Sequence, residues 1–282
     1  MDTTESKYVE KKPYLSRHSH ELVVAERESE ERLAKEFNDD WYRSAKEEWP
    51  KFVHFLTTQC GIKFHGRVLE IGAGGAWFSA ELSKLPNVVE IITTDYSTKL
   101  LKEQAPKVFK LLNASGAKIT RTPADFYQLG FPANHFDYVV CSSVLHRTAN
   151  MVSVLREVKR VLKPGGRLVL FCPNRGYPFE THGIYWRGKY HFGNIPLVNY
   201  LPRRWRDRLA PHVNVYTSRD LQRLFAGLPV RLIERRIIFG AYDNIIARRP
   251  RLGNFLRALL QTLEHTPLQI LGLSHFWVVE KI

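Results

Sequence analysis

Residues 67–79 read Arg-Val-Leu-Glu-Ile-Gly-Ala-Gly-Gly-Ala-Trp-Phe-Ser and decide the fold of this chain. An apolar run that carries one carboxylate, Glu70, breaks into glycine and alanine and then resumes as an apolar segment. This pattern predicts a strand, a tight loop and a helix. Gly72 and Gly74 allow a sharp turn and leave no Cβ between the backbone and a ligand, while the helix start offers unpaired N–H groups. We therefore expect a loop that binds a nucleotide cofactor.

The residue at position 77 narrows the choice of cofactor. A dinucleotide-binding loop follows the pattern G-x-G-x-x-G, in which the last glycine lets the helix pack close to the strand. Counted from Gly72, that position holds Trp77. An indole at this position argues against a pyrophosphate-binding site. The acidic residue Glu70, two positions before Gly72, instead suits a ligand with an ammonium group, such as an amino acid.

From these residues the chain resembles a known family, the class I S-adenosylmethionine-dependent methyltransferases. The first motif of that family is an acidic residue followed by G-x-G-x-G, which Glu70, Gly72 and Gly74 match, with Ala76 in place of the third glycine. The resemblance covers residues 40–175 well and the remainder in outline. Further matches follow in the family's order: Asp95 after the second strand, Asp125-Phe126 after the third, 136–142 as the fourth strand, and 161–168 leading into the fifth.

The resemblance implies S-adenosyl-L-methionine as the cofactor and assigns contacts to it. Asp95 would accept hydrogen bonds from both ribose hydroxyls, because one carboxylate can accept two bonds at once. Asp125 would accept a bond from the adenine amino group with Phe126 beside the ring, and Ser142 would lie under the methionine portion. The expected cofactor-binding set is Glu70, Gly72, Ala73, Gly74, Asp95, Tyr96, Asp125, Phe126 and Ser142.

Strand and helix patterns alternate from residue 67 onward, which predicts a Rossmann-like α/β fold with a mostly parallel sheet and helices on both faces. Right-handed crossovers place the carboxyl ends of the parallel strands on one edge, so the expected cofactor residues meet there. Seven strands are expected, at 67–71, 88–94, 117–122, 136–141, 167–172, 231–239 and 275–281.

The same patterns divide the chain into five segments. Residues 1–20 are predicted to be a flexible tail and 21–60 to form N-terminal helices, in which Trp41 and Trp49 suit either core packing or a cover over the site. Residues 61–173 are the cofactor-binding core. The irregular, aromatic segment 174–215 is the length of a functional lid or acceptor-binding insertion, and 216–282 complete the sheet.

Length and composition describe an ordinary globular protein. With 282 residues, 44% hydrophobic and 25% charged, the chain can bury a full core. The first residues lack a basic and apolar leader and the three cysteines show no pattern, so we expect a cytoplasmic protein without disulfides. Histidine and cysteine do not occur at metal-ligand spacing, so no metal site is predicted.

The positive charge is concentrated in one third of the chain. Residues 151–251 contain 20 Lys or Arg against 6 Asp or Glu, a surplus that equals the net charge of +14. Such a block indicates an anionic surface or substrate, or else a basic face in contact with water. Two basic segments, 203–208 around Trp205 and 248–251 before an apolar helix predicted over 252–263, suggest peripheral docking on an anionic membrane at the inner face.

Methyl transfer to oxygen or nitrogen also requires a proton acceptor. By resemblance, His146 occupies a position where many small-molecule methyltransferases carry a histidine, and its ordinary pKa near 6.5 suits the task. A structural histidine is equally compatible with that stretch. His182 and Tyr185, together with His191, are further candidates in the insertion.

The sequence favours a methyltransferase with a small, hydrophobic or lipid-like acceptor, and its oligomeric state stays open. One alternative is an RNA or DNA methyltransferase that uses the block 151–251, although the Asn/Asp-Pro-Pro-Tyr/Phe motif of enzymes that methylate base amino groups is replaced by residues 141–144, Cys-Ser-Ser-Val. Another is a non-catalytic binding protein with a cofactor fold, against which the complete cofactor set argues. The fold alone does not decide between them.

Overall fold

The computed structural model describes residues 6–9, 39–142, 145–191, 193–211, 213–240, 249–264 and 266–282. The helix predicted before residue 39, most of the predicted tail, and Arg248 lie outside these ranges. The first described helix, α1, spans Asp39–Thr58.

The centre of the protein is one sheet of eight strands. In chain order they are β1 (Lys7–Tyr8), β2 (Gly66–Ile71), β3 (Val88–Asp95), β4 (Ile119–Pro123), β5 (Phe136–Cys141), β6 (Leu162–Pro173), β11 (Val230–Ile238) and β12 (Ser274–Lys281). Their spatial order is β1-β4-β3-β2-β5-β6-β12-β11. The first six run parallel, whereas β12 is antiparallel to both β6 and β11.

This architecture confirms the predicted Rossmann-like fold with its mostly parallel sheet. All seven expected strands are present within a few residues of their predicted bounds. The eighth strand, β1, falls within the segment predicted to be a flexible tail. Lys7 pairs with Thr120 at the edge of the sheet, and the Arg121 guanidinium donates a hydrogen bond of 3.0 Å to the Ser6 carbonyl oxygen.

Helices cover both faces of the sheet. Side chains of a strand alternate between the faces, so Val68 packs toward one layer and Leu69 toward the other. The first layer contains α1, α2 (Trp77–Leu82) and α3 (Ala105–Leu112), and the second contains α4 (Met151–Val161) and α6 (Ser218–Phe225). Trp49 of α1 makes an edge contact with Phe78 of α2 at 5.9 Å between ring centroids, so Trp49 is part of the core packing.

The insertion 174–215 is more regular than its composition predicts. It contains two small antiparallel sheets, one of β7 (Phe179–Glu180) with β10 (Ile195–Pro196) and one of β8 (Ile184–Trp186) with β9 (Lys189–His191). The helix α5 (Arg203–Leu209) follows. Thr217 then caps α6 in a reciprocal pair of hydrogen bonds with Asp220.

The last helix, α7 (Pro250–Leu263), matches the predicted apolar helix. Its face toward solvent exposes Leu252, Phe255 and Leu259. Among the described residues, no helix is both long and apolar enough to cross a membrane.

Candidate active site

The loop between β2 and α2 turns through three residues in the left-handed backbone region. Gly72 has φ 68°, Gly74 has φ 52° and Ala76 has φ 60°. This region suits glycine and disfavours a residue with a Cβ by roughly 1–2 kcal/mol, so Ala76 is the strained member. The Ala73 N–H donates to the Thr94 carbonyl oxygen at 3.0 Å, which fixes the loop against β3.

Glu70 holds the start of the helix that follows the loop. Its carboxylate is buried and accepts bonds from the Ser79 N–H, at 3.0 Å, and from the Ser79 hydroxyl. Ala76 at the N-cap offers no side-chain bond, so Glu70 supplies the cap from the neighbouring strand. Burial raises the pKa of Glu70 to about 7, although the two bonds from Ser79 act in the opposite direction. In this geometry Glu70 supports the loop through the helix.

Asp95 joins the loop to the end of β3. Its two carboxylate oxygens accept bonds from the Gly74 N–H at 2.7 Å and the Ser97 N–H at 2.9 Å. Burial raises the pKa of Asp95, while these backbone bonds and the positive charge of Arg147 counteract the rise. Each carboxylate oxygen has a second lone pair, so Asp95 keeps acceptor capacity for a ribose diol.

Trp77 occupies the space next to the loop backbone. It is 4% exposed, and a Cβ added to Gly75 would lie only 2.8 Å from the indole nitrogen. The indole therefore packs directly on the loop, which agrees with the expectation that this position does not hold a pyrophosphate.

Asp125, Tyr96 and Phe126 come together where β3 and β4 end. The Tyr127 N–H donates to the Asp125 carboxylate at 2.8 Å, and the Tyr96 hydroxyl lies 3.5 Å from the same oxygen. The rings of Tyr96 and Phe126 contact each other with centroids 4.1 Å apart. The structure thus assembles two aromatic rings and a buried carboxylate, which suits a purine base.

Two of the four candidate proton acceptors lie next to each other. The imidazole of His146, in the turn Leu145–Arg147 after β5, is 5.2 Å from that of His182, measured between ring centroids. His146 is buried, and its carbonyl oxygen accepts a bond from the Asn214 N–H. Tyr185 packs on Tyr190 in the β8–β9 hairpin, and the Tyr190 hydroxyl donates a hydrogen bond to the His182 carbonyl oxygen. Ser142 is half-buried directly after β5.

A buried ion pair that the sequence analysis missed supports His182. Glu180 accepts from His182 Nδ1 at 3.1 Å and from the Arg206 guanidinium at 2.6 Å. Burial by itself would raise the pKa of Glu180, but the bonds from His182 and the charges of His182 and Arg206 outweigh it and lower the pKa to about 2. No local pattern links positions 180 and 206, because the pair forms only when the insertion folds on itself.

Arg206 corrects one expectation about the basic segment 203–208. The sequence predicts four cations on one surface, but Arg206 is 1% exposed and also donates to the Val213 carbonyl oxygen. The helix α5 turns this residue inward, toward Glu180. Arg203, Arg204 and Arg208 are exposed, and Arg203 forms an ion pair of 3.1 Å with Asp220.

The described residues contain no group of three or more His, Cys, Asp or Glu side chains arranged to hold a metal ion. The protein thus has a Rossmann-like fold, in which the loop and the carboxylates of Asp95 and Asp125 lie at the carboxyl edge of the sheet, where ligands bind in this class of fold.

Comparison with known proteins specifies the family. Residues 69–170 match the model of a methyltransferase domain. Over 154 residues the chain is 29% identical to the ubiquinone/menaquinone biosynthesis C-methyltransferase UbiE of Pseudomonas fluorescens, with 54% of this chain and 57% of that protein covered. It is 37% identical over 126 residues to a polyketide synthase-nonribosomal peptide synthetase of Pyricularia grisea, with 43% of this chain and 3% of that protein covered.

A solved structure supports the fold. An S-adenosylmethionine-dependent methyltransferase from Mesorhizobium loti aligns with a TM-score of 0.56 and 19% identity, covering 84% of this chain and 100% of that one. Residues 69–170 therefore form a methyltransferase domain, and the chain shares the fold of an S-adenosylmethionine-dependent methyltransferase, which agrees with the motif at residues 70–76. It spans little more than half of UbiE and a small fraction of the synthetase.

Proposed function

We propose that this protein is an S-adenosylmethionine-dependent methyltransferase that acts on a small, hydrophobic or lipid-like acceptor. One observation carries the proposal: several polar groups lie at, or soon after, the carboxyl ends of the parallel strands β2 to β6. They are the loop, the carboxylates of Asp95 and Asp125, and the His146–His182 pair. The similarity to UbiE supports a small-molecule acceptor, since UbiE is a C-methyltransferase of ubiquinone and menaquinone biosynthesis.

The residues present fit the cofactor. The glycine backbone at 72–74 admits close approach, and a Cβ added at Gly74 would meet no atom within 4 Å. Asp95 would hold the ribose, the Tyr96–Phe126 pair and Asp125 the adenine, and Ser142 the methionine portion. The bound cofactor supplies the sulfonium methyl group. Holding an acceptor in line with that methyl group is worth on the order of 7–11 kcal/mol at best.

His182 is the best-supported proton acceptor. Glu180 accepts the Nδ1–H of its ring, which leaves Nε2 with the lone pair that can take a proton. The negative charge of Glu180 stabilises the imidazolium that forms, and Arg206 keeps Glu180 ionised. His146, whose ring contacts that of His182, is in position to pass the proton onward or to take it first. Whichever imidazole acts first would receive the proton that the methylated atom loses as the bond from that atom to the methyl carbon forms.

Product formation tests this function. The protein is incubated with methyl-labelled S-adenosylmethionine and fractions of a cell lysate, and labelled products are detected by mass spectrometry. We expect His182→Ala to lower the rate of labelling by about 100-fold or more, the usual contribution of a general base, with unchanged cofactor affinity. His191→Ala, at an exposed position of β9, tests the other candidate histidine of the insertion and should label at the wild-type rate. Cofactor binding without product in any fraction would support the non-catalytic alternative.

Exposed groups also support docking on an anionic membrane. Trp205 is 51% exposed with Arg204 over its ring, and α7 presents Leu252, Phe255 and Leu259 next to the exposed Arg249 and Arg251. Tryptophan and arginine favour the lipid–water boundary. With Arg206 buried and Arg203 paired, the other arginines that the structure describes in these two segments are Arg204, Arg208, Arg249 and Arg251, which could contribute about 4 kcal/mol at 1 kcal/mol each near an anionic surface.

Vesicle sedimentation tests the docking. The wild type should pellet with anionic vesicles and less so with neutral ones, and binding should weaken as salt rises, because salt screens exposed charges. Arg204→Gln with Arg208→Gln should reduce pelleting by about 30-fold, since two charges contribute about 2 kcal/mol. Lys107→Gln with Lys110→Gln on α3 is the control, since both lysines are exposed near the other edge of the sheet. Binding to single-stranded RNA without binding to vesicles would favour the nucleic-acid alternative.

A further inference from the structure

A second cavity lies at the same edge of the sheet as the cofactor loop. It has a volume of about 490 Å³, which is within the range of small-molecule sites. Ser274, one of its lining residues, pairs with Pro173 at the carboxyl end of β6 and with Ile238 at the end of β11. Helices α1 and α7 form its sides, and the described residues that line it are Glu48, Lys51, Phe52, Phe55, Gln59, Ile238, Phe239, Gly240, Arg257, Gln261, Glu264, Leu273 and Ser274.

The aromatic lining of this cavity packs on the buried core. Phe52 contacts Phe171 with ring centroids 4.9 Å apart, and Phe171 stacks on Phe276 at 5.0 Å. Phe171 and Phe276 are both buried core residues. Phe52 also contacts Phe78 of α2, the helix that begins at the cofactor loop. The wall of the cavity is thus packed directly against the element that positions the cofactor.

The charges around the cavity balance. Two acidic and two basic side chains line it, so the lining favours neither an anion nor a cation. Glu264 already accepts a bond of 2.8 Å from the Phe239 N–H, which fixes the end of β11 against α7. An aromatic cavity without net charge at its mouth suits an uncharged apolar group, since burial of such a group is stabilised in proportion to its area.

The position of the cavity relates it to methyl transfer. The strand β12 is two places from β5 in the sheet, and neighbouring strands are about 4.8 Å apart, so the cavity begins about 10 Å from the end of β5, where Ser142 and the His146 turn lie. We infer that this cavity binds the uncharged apolar tail of the methyl acceptor, whose reactive end reaches the His146–His182 pair. The inference rests on the proposed methyltransferase function and separates the tail site from the aromatic insertion.

A series of 4-alkylphenols with tails of two, four, six and eight carbons probes the site, because these compounds share one uncharged head. Affinity for the full chain, measured by calorimetry, should rise about fourfold for each added methylene, since each contributes about 0.8 kcal/mol. Gln261→Trp places an indole at the exposed mouth of the cavity on α7. It should weaken binding of the eight-carbon compound at least tenfold and abolish the dependence on tail length. Asn254→Trp, exposed on α7 outside the cavity lining, is the matched control and should bind as the wild type does.

A second variant keeps the test decisive if the first does not fold. Phe239→Ala enlarges the cavity while its backbone N–H still reaches Glu264, so tails should continue to gain affinity beyond the length at which the wild type saturates. Equal affinity of the wild type for the two- and eight-carbon compounds would overturn the inference, as would wild-type binding by Gln261→Trp. Binding of S-adenosylmethionine to the wild type, titrated separately, distinguishes the two proposals. If the wild type does not bind S-adenosylmethionine, the methyltransferase function is contradicted. If it binds S-adenosylmethionine but its affinity for the phenols does not depend on tail length, only the tail site is contradicted.

Discussion

Replacing Arg206 by methionine tests the buried ion pair of the insertion. Methionine keeps an unbranched apolar stem but leaves the Glu180 carboxylate, which is 1% exposed, without its guanidinium partner. Removing one partner of a buried pair typically costs 3–5 kcal/mol. Against the opposing effect of burial, the pKa of Glu180 is lowered from 4.5 to about 2 mainly by its bonds to His182 and, to a smaller extent, by the charge of Arg206, so His182 still stabilises the carboxylate in the variant.

Urea unfolding at pH 7 measures the effect. We expect Arg206→Met to lower the free energy of unfolding by about 3 kcal/mol. Because the folded pKa of Glu180 is depressed, its stabilisation is present above pH 4.5 and is lost as pH falls toward 2, so the variant should also unfold at a higher pH on acidification. Arg204→Met, exposed and two residues away, should change stability by less than about 0.5 kcal/mol. If both substitutions lower the free energy of unfolding equally little, Arg206 does not stabilise the insertion. The prediction that Arg206 belongs to a basic surface facing a membrane would then be restored.

Three further predictions concern the cofactor edge. Asp95→Ala removes the acceptor of the Gly74 N–H and should weaken S-adenosylmethionine binding by about 1.5–3 kcal/mol, and calorimetry that finds unchanged affinity in a folded variant would place the ribose elsewhere. Because the Trp77 indole packs on the loop, NAD and NADP should not bind at millimolar concentration, which fluorescence titration checks. The folded pKa of Glu70 is raised to about 7, so ionisation of Glu70 destabilises the fold as pH rises from 4.5 through 7. Glu70→Gln should therefore gain up to about 3 kcal/mol relative to the wild type between pH 5 and pH 8, and parallel stability profiles would contradict this.

The sheet and the cofactor edge follow from local sequence. The signals for these elements, such as the apolar pattern of each strand and the glycines after β2, each lie within a few neighbouring positions. The order of strands and helices could therefore be predicted directly from the sequence. The convergence of Glu70, Asp95 and Asp125 at one edge then follows from the handedness of the crossovers.

The insertion was harder to predict because its order comes from contacts distant in sequence. Arg206 reaches Glu180 across 26 positions, and a run of four nearby arginines indicates a basic surface unless the burial of one member is known. The tail-binding cavity is similarly invisible in the sequence, because α1, the end of β11 and α7 contribute to it from positions about 200 residues apart.

The two carboxylates at the cofactor loop have a consequence for its motions. Glu70 binds the start of α2 and Asp95 binds the Gly74 N–H, so the loop is tied to two adjacent core strands at two points. Opening it requires both buried carboxylates to lose their donors, which couples the loop to the sheet. The amide protons of Gly74 and Ser79 should therefore exchange with solvent at rates close to those of β2 and β3, as members of one cooperative unit. The loop would therefore be ordered before the cofactor binds. The entropic cost of ordering this segment would be part of the free energy of folding and not of binding.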